Sequence, residues 1–182
     1  MKFLSTAIPE VVIVEPQVFG DARGFFMETW QKRKFAEGGI DADFVQDNHS
    51  ASAQWILRGL HYQLEKPQGK LVRVTQGAVF DVAVDLRASS PTFGRWVGVE
   101  LSADNRRMLW VPPGFAHGFL SLSERVEFLY KCTDYYDPAA ERAIVWNDAT
   151  LAIAWPLPAG VSPTLSGRDA KGSTFAAAEK FS

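Results

Sequence analysis

The sequence predicts an all-β fold, either an antiparallel sandwich or a jelly-roll barrel. Helical periodicity is nearly absent from its 182 residues. Short runs of β-branched and aromatic residues instead recur roughly every ten residues, with glycine, proline, asparagine and aspartate between them. No internal repeat, low-complexity segment or interdomain linker is visible, so we expect residues 1–182 to form a single domain.

The first part of the chain is predicted to contain three strands and a short helix. Val11–Val14 is a β-branched run followed by a proline, which is typical of a strand near a sheet edge. Turn residues precede an aromatic strand at Phe25–Trp30, and Gln31–Glu37 is predicted to be a helix that stops at two glycines. Phe44–Asn48 is predicted to be a strand, and the following HSASAQ a polar loop.

Period-two alternation is clearest in Ala78–Leu86, where Phe80, Val82 and Val84 share one face and Asp81 lies on the other. The prolines and glycines of PPGFAHGF are predicted to exclude that stretch from a regular ladder. The C-terminal segment is predicted to be a loop followed by a short helix at Thr174–Phe181. Further strands are predicted at Trp96–Leu101, Met108–Val111, Val126–Thr133, Ile144–Trp146 and Leu151–Trp155.

Composition narrows the class of protein. A net charge of −2 argues against a broad nucleic-acid surface, which would have to be basic. The single cysteine, Cys132, excludes an internal disulfide and a thiolate metal cluster. The N-terminus is too quickly polar for a signal peptide, and no apolar run could span a bilayer. We therefore expect a cytoplasmic protein that acts on a small molecule, with no nucleic-acid or membrane partner.

The stretch Leu57–Val74 is the strongest candidate for a functional site. It combines Arg58, His61 and Lys70 with two glycines that interrupt the strand pattern. A guanidinium binds phosphate in a bidentate way, an imidazole exchanges protons near neutral pH, and an ammonium stabilises the negative charge that proton removal creates. Together these residues suit proton abstraction beside a carbonyl on a phosphorylated substrate, although each one alone is more typical of an ordinary surface strand.

Strict alternation places Arg58 and His61 on opposite faces of their strand. Both can reach one pocket only if the strand is irregular near Gly59, where a glycine in a strand pattern often marks a bulge. His117 either lines the same site or is a core histidine with a backbone partner. His49 lies in a polar stretch and is given no role.

Two other residues are open to two interpretations. Tyr130 shares its face with apolar residues, so it is either a core tyrosine or a phenol that points into a cavity and donates a proton. Asp169 is either a solvated loop carboxylate or, if the C-terminal loop folds back, the group that orients His61 and raises its basicity.

A series of segments runs in order from Phe19 to Pro156 and matches one known family, with a weaker match in LSGRDAKG: FGDARGFFMETW, FVQDNHSAS, LRGLHYQ, QGKLVRVTQGAVFDVAVDLR, SPTFGRW, MLWVPPGFAHGF, EFLYKCTDYYDP and IVWNDATLAIAWP. Through these segments the chain as a whole resembles the dTDP-4-dehydrorhamnose 3,5-epimerase family. The resemblance implies a cupin-like antiparallel jelly-roll barrel with a few short helices. It also implies a homodimer that acts without a cofactor or metal on a thymidine-diphosphate 4-keto-6-deoxyhexose in the pathway to dTDP-L-rhamnose.

The resemblance also implies individual roles. His61 matches the family's general base, Asp169 its orienting carboxylate, Tyr130 the acid on the opposite face, and Lys70 the lysine near the C4 oxygen. Arg168 stands where the family commonly has lysine, so the charge is kept while the geometry changes. The positions implied to bind substrate are Phe19, Arg23, Phe26, Glu28, Gln46, Asn48, Arg58, His117, Tyr136, Glu141 and Arg168.

The chemistry suits these residue types, because a C4 ketone acidifies the hydrogens on both C3 and C5. One base and one enolate stabiliser could therefore serve two inversions. Three alternatives stay open: an epimerase of one carbon only, a metal-dependent cupin enzyme suggested by PPGFAHG, and a non-catalytic binder of nucleotide sugars. The metal-dependent alternative is weakened because the chain lacks the His-x-His of the first cupin motif.

Overall fold

The structure is a computed structural model that describes residues 1–182. It contains thirteen strands, one α-helix and one 3₁₀ turn. No helix is long and apolar enough to cross a membrane. In chain order the elements are β1 Lys2–Ser5, β2 Val12–Glu15, β3 Val18–Asp21, β4 Gly24–Met27, α1 Lys32–Glu37, β5 Gln46–Ala53, β6 Leu57–Gln63, β7 Lys70–Gln76, β8 Ala78–Asp85, β9 Trp96–Ser102, β10 Met108–Val111, β11 Phe115–Ser121, β12 Arg125–Cys132, β13 Glu141–Ala143 and the 3₁₀ turn Asp169–Lys171.

Two antiparallel sheets form the body of the molecule. The larger sheet has the strand order β1-β2-β10-β7-β12-β5, and the smaller has the order β13-β6-β11-β8-β9. Strands β3 and β4 form a separate hairpin. Many neighbours in these sheets are distant in sequence, as in a jelly roll, because most connections from β5 onward cross from one sheet to the other. The predicted antiparallel jelly roll is confirmed.

The main hydrophobic core lies between the two sheets, where Val72 and Phe128 of the larger sheet face Val79 and Val99 of the smaller. Smaller clusters cover the outer faces. One surrounds Phe35 of α1, and the other packs the C-terminal segment against the outside of the smaller sheet. Val79 and Ala83 of β8 belong to this main core, whereas Val82 and Val84 belong to the outer cluster, so the face that carries Asp81 points into the space between the sheets.

Two stretches predicted to be irregular are strands. HSASAQ is mostly part of β5, which pairs with β12 along its whole length; it is polar because β5 is an edge strand with one exposed face. The second half of PPGFAHGF is β11, a buried strand paired on both sides. Only the part around Gly114 forms the predicted turn. The ladder requires glycine at Gly118, because β6 approaches this position too closely to leave room for a side chain.

The predictions for the late elements were wrong. Ile144–Trp146 and Leu151–Trp155 are not strands, and Thr174–Phe181 forms turns rather than a helix. Their apolar residues were a misleading signal, because this segment covers the smaller sheet as irregular chain. The aromatic strand also ends earlier than Phe25–Trp30 predicts, at Met27, and strands β1 and β3 were not anticipated.

Candidate active site

A cavity of about 450 Å³ lies between the sheets at one end of the barrel. Both sheets and the C-terminal loop contribute to its wall, so residues far apart in sequence meet there. Most of the predicted site residues line it: Gln46, Asn48, Arg58, His61, Lys70, His117, Tyr130, Tyr136, Glu141, Arg168 and Asp169.

An irregularity at Gly59 brings Arg58 and His61 to the same cavity. Between the pairs His117↔His61 and Phe119↔Arg58, β6 uses three steps where β11 uses two, so β6 contains one extra residue. Gly59 has a φ of +122°, a conformation that side chains disfavour, and an added Cβ would lie 2.5 Å from the Cα of Gly118. The predicted bulge is confirmed, and it explains how two residues of opposite alternation line one wall.

His61 and Asp169 form a hydrogen-bonded pair at the cavity wall. The distance from Nε2 of His61 to Oδ1 of Asp169 is 2.5 Å, and the two side chains are 21% and 4% exposed. Burial acts to raise the pKa of Asp169, but hydrogen bonds from His61 and Ser166 outweigh it and hold that pKa below its ordinary value. The ionised carboxylate accepts the Nε2 proton and leaves Nδ1 with the free lone pair.

His117 belongs to a second, more deeply buried pair. Its Nε2 lies 2.9 Å and 3.0 Å from the two carboxylate oxygens of Asp81. Asp81 is fully buried in β8, and His117 lies directly across the ladder from His61. The partner of His117 is therefore a side-chain carboxylate, not the backbone group considered from the sequence.

Tyr130 and Lys70 reach the cavity from the larger sheet, opposite His61. They lie on the neighbouring strands β12 and β7, and Tyr130 packs against the edge of the main core. Burial raises the pKa of the Tyr130 phenol, so it keeps its proton at neutral pH. Burial also lowers the pKa of the Lys70 ammonium, although the nearby carboxylates of Glu141 and Asp81 oppose this.

Arg168 joins the C-terminal loop to the opposite rim of the cavity. It pairs with the carboxylate of Glu141 and donates a hydrogen bond of 3.0 Å to the Tyr136 hydroxyl, which itself donates to Glu141 over 2.9 Å. The forked guanidinium of Arg168 binds Tyr136 and Glu141 at once and so bridges the C-terminal loop and the opposite rim, which the single ammonium of a lysine is less suited to do.

Four predicted residues do not line this cavity. Phe19, Arg23 and Phe26 lie on the β3–β4 hairpin, and Glu28 follows it. Phe19 and Phe26 are 56% and 69% exposed, and the Arg23 side chain is 90% exposed beside Asp21. Glu28 pairs with Lys34 of α1 at 2.8 Å. Within one chain, these residues are separate from the other predicted site residues.

Sequence reasoning missed several groups that line the cavity or lie directly behind its wall. Asp81 was noted on an apolar strand but given no role, although a carboxylate on a buried strand must find a partner. Ser166, three residues before Asp169, has the spacing of a side chain that caps a helical turn. Ser50 and Gln68 also line the cavity and gave no recognisable signal. No three His, Cys, Asp or Glu side chains come together in a set that could hold a metal ion.

Comparisons with known proteins identify the family of this chain. The sequence profile described as dTDP-4-dehydrorhamnose 3,5-epimerase matches residues 5–177. A dTDP-4-dehydrorhamnose 3,5-epimerase from Pseudomonas aeruginosa is 59% identical over 182 residues, which cover 100% of this chain and 99% of the relative. The enzyme of the same name from Shigella flexneri is 55% identical over 183 residues, with coverage of 100% and 99%.

Solved structures show the same similarity. The dTDP-6-deoxy-D-glucose-3,5-epimerase from Legionella pneumophila, solved in complex with dTDP-4-keto-L-rhamnose, has a TM-score of 0.94 at 51% identity and covers 98% of this chain and 94% of its own. The 3′-monoepimerase ChmJ from Streptomyces bikiniensis, solved with dTDP-quinovose, has a TM-score of 0.87 at 34% identity, with coverage of 94% and 87%. The chain therefore belongs to the dTDP-4-dehydrorhamnose 3,5-epimerase family.

Proposed function

We propose that residues 1–182 form one jelly-roll epimerase domain that inverts C3 and C5 of dTDP-4-dehydro-6-deoxy-D-glucose to give dTDP-4-dehydro-L-rhamnose, in dTDP-L-rhamnose biosynthesis. Beyond family membership, one observation carries the proposal. His61 and Tyr130 line one cavity from opposing sheets, so a base and an acid face each other across the space for a sugar ring. Inversion at a carbon needs this arrangement, because the proton leaves from one face and returns to the other.

In the proposed reaction His61 acts as the base through Nδ1. It takes the proton from the carbon next to the C4 ketone, and the electrons of the broken C–H bond move to the C4 oxygen to form an enolate. The resulting imidazolium is stabilised by the ionised carboxylate of Asp169 at 2.5 Å. Acid–base assistance of this kind contributes on the order of 10²–10⁴-fold in rate.

Lys70 is proposed to stabilise the enolate. Burial lowers the pKa of its ammonium, which makes it a stronger hydrogen-bond donor to a developing oxyanion. Tyr130 then gives its phenolic proton to the opposite face of the carbon, and the phenolate and imidazolium re-equilibrate with solvent. The raised pKa of Tyr130 fits this role, since a phenol that stays protonated is available as an acid. Every step uses groups of the chain, so no cofactor is invoked.

Other cavity residues are proposed to bind the nucleotide sugar. Arg58, Gln46 and Asn48 line the cavity together with His61, and the Arg58 guanidinium suits the diphosphate. Tyr136 and Glu141 lie at the rim with Arg168, where they could contact the base or sugar.

We further propose that the enzyme is a homodimer. Phe19, Arg23 and Phe26 are exposed on a hairpin outside the cavity of their own chain, where a second copy could receive them. Exposed aromatic residues beside an arginine are typical of an interface. A cytoplasmic location is also proposed, in keeping with a buried cysteine, Cys132, that has no disulfide partner.

The test is incubation with the 4-keto sugar nucleotide in D₂O, followed by NMR. We expect deuterium at both C3 and C5 and the L-rhamno product. Deuterium at one carbon would favour the single-carbon alternative, which the similarity to a 3′-monoepimerase keeps open. Absence of exchange would contradict the proposal and favour a non-catalytic binder.

A matched pair of variants assigns the activity to the cavity. His61→Asn should lose exchange at both carbons. His49→Asn is the control, because His49 is exposed on β5 outside the cavity and bonds Glu127 at 2.5 Å. Equal activity of the two variants would refute the role given to His61.

A further inference from the structure

Ser166 is hydrogen-bonded to the carboxylate behind His61. Its hydroxyl donates to Oδ2 of Asp169 over 2.7 Å, and the backbone N–H of Asp169 donates back to the same hydroxyl over 3.1 Å. The two residues are three apart, at the start of the 3₁₀ turn. Oδ2 is thereby occupied by the serine, while Oδ1 faces His61.

The hydrogen-bonding capacity of the hydroxyl fixes its direction. A serine has one proton to donate and two lone pairs to accept with. Because the backbone N–H of Asp169 can only donate, Ser166 accepts from it, and its own proton is free to go to the carboxylate. By binding Oδ2, Ser166 fixes the orientation of the carboxylate and with it the oxygen that faces the ring.

From this geometry, and given the proposed function, we infer that Ser166 is a positioning residue that forms a Ser166–Asp169–His61 relay and holds the Asp169 carboxylate in the direction that His61 needs. It does not touch the reacting atoms. Its effect on the reaction passes through Asp169, because that carboxylate is the group it shares with His61.

Few groups influence the pKa of Asp169, so the loss of the Ser166 hydroxyl should change that pKa measurably. The charged or titratable groups that face this carboxylate are His61 from β6 and Arg168 beside it in the loop. Burial raises the pKa of Asp169, and the hydrogen bonds from His61 and then from Ser166 are the two largest causes that lower it. Removing it should raise the pKa of Asp169 and let the carboxylate protonate at higher pH.

The experiment compares Ser166→Ala with Ser166→Thr, which keeps the hydroxyl, and with Ser162→Ala, an exposed serine in the same loop. For Ser166→Ala we expect kcat to fall about tenfold at neutral pH and the acid limb of its pH profile to move upward. Ser166→Thr should restore most of both properties, and Ser162→Ala should match the wild type. Ser166 is exposed apart from its hydroxyl contacts, so the unfolding midpoint of Ser166→Ala should stay close to that of the wild type.

Two further readouts separate a relay from a merely structural role. In a double-mutant cycle, Ser166→Ala should have almost no effect on kcat once Asp169→Asn is present, because the shared carboxylate is gone. The Asp169 carboxyl can also be titrated by ¹³C NMR without substrate, and Ser166→Ala should shift that titration upward. An unchanged titration, or effects of the two substitutions that multiply, would overturn the inference. If the wild type fails to exchange deuterium, the proposed function fails, whereas the carboxyl titration still decides whether Ser166 controls Asp169.

Discussion

The buried carboxylate of Asp85 is expected to stabilise the fold by about 2 kcal/mol at neutral pH. Asp85 is completely buried at the end of β8. Its oxygens accept hydrogen bonds from Arg87 at 2.7 Å and 2.9 Å, and from Ser90 and Thr92 at 2.6 Å each. Burial alone would raise its pKa, but these bonds outweigh it and lower the pKa of Asp85 from 3.8 to about 2. At ~1.4 kcal/mol per pKa unit, the difference corresponds to about 2 kcal/mol.

The sign of the pH dependence follows from the lowered pKa. The stabilisation is complete above the unfolded-state pKa of 3.8 and is lost as the pH falls toward 2. Asp85→Asn should therefore lower the free energy of unfolding by about 2 kcal/mol or more at pH 7, and the gap to the wild type should narrow by about 1 kcal/mol at pH 3.

Urea unfolding followed by tryptophan fluorescence measures both values. Asp104→Asn, at an exposed turn position, is the matched control and should change stability by less than about 0.5 kcal/mol at either pH. A gap between Asp85→Asn and the wild type that stayed constant from pH 7 to pH 3 would refute the assignment of the stabilisation to an ionised Asp85.

Three predictions concern the proposed reaction. Tyr130→Phe should still incorporate deuterium, because His61 can return a proton to the face it came from, whereas the rate of inversion should fall about 10²–10⁴-fold. NMR distinguishes deuterium incorporation from inversion, and equal loss of both would contradict the assignment of His61 and Tyr130 to opposite faces of the sugar. Lys70→Met should lower kcat about 10²–10³-fold with a smaller change in KM, the pattern of a lost oxyanion donor; a rise in KM alone would point to ground-state binding. Finally, Arg23→Ala should have reduced activity, and mixing it with His61→Asn should restore activity only if Arg23 serves the cavity of the partner chain. Sedimentation verifies the mixed dimer, and no restoration would contradict the proposal that a second copy receives Arg23.

Much of the fold was predictable because most strands of this jelly roll carry a local signal. Met108–Val111 was predicted with its observed bounds, and the helix and β8 to within one residue at each end. The errors have a common cause. β5 is polar because it lies at an exposed edge, and the chain after β13 is apolar because it covers a sheet without joining one. The pattern of apolar and polar residues indicates which side chains are buried, but it does not distinguish a strand from an irregular segment that covers a sheet.

The site was predictable from residue types and from the family resemblance, which also implied that Asp169 orients His61, but local sequence patterns do not specify such contacts. The contact between His61 and Asp169 joins residues 108 positions apart, and nothing local in the sequence specifies it. The pairing of His117 with Asp81 likewise depends on the strand order of the smaller sheet. The hairpin residues show a different limit, because a single chain places them away from the cavity that the resemblance assigns them to.

The two facing glycines of β6 and β11 constrain any redesign of this cavity for another sugar. A methyl group on Gly59 would collide with Gly118, and one on Gly118 would lie 2.7 Å from the carbonyl oxygen of Arg58. Neither position can accept a side chain while the strands keep their spacing, and widening that spacing would turn the imidazole and the guanidinium away from their shared target. Libraries that diversify the wall should therefore hold both glycines constant and vary Ser50 or Gln68, which border the same space without supporting the backbone crossing.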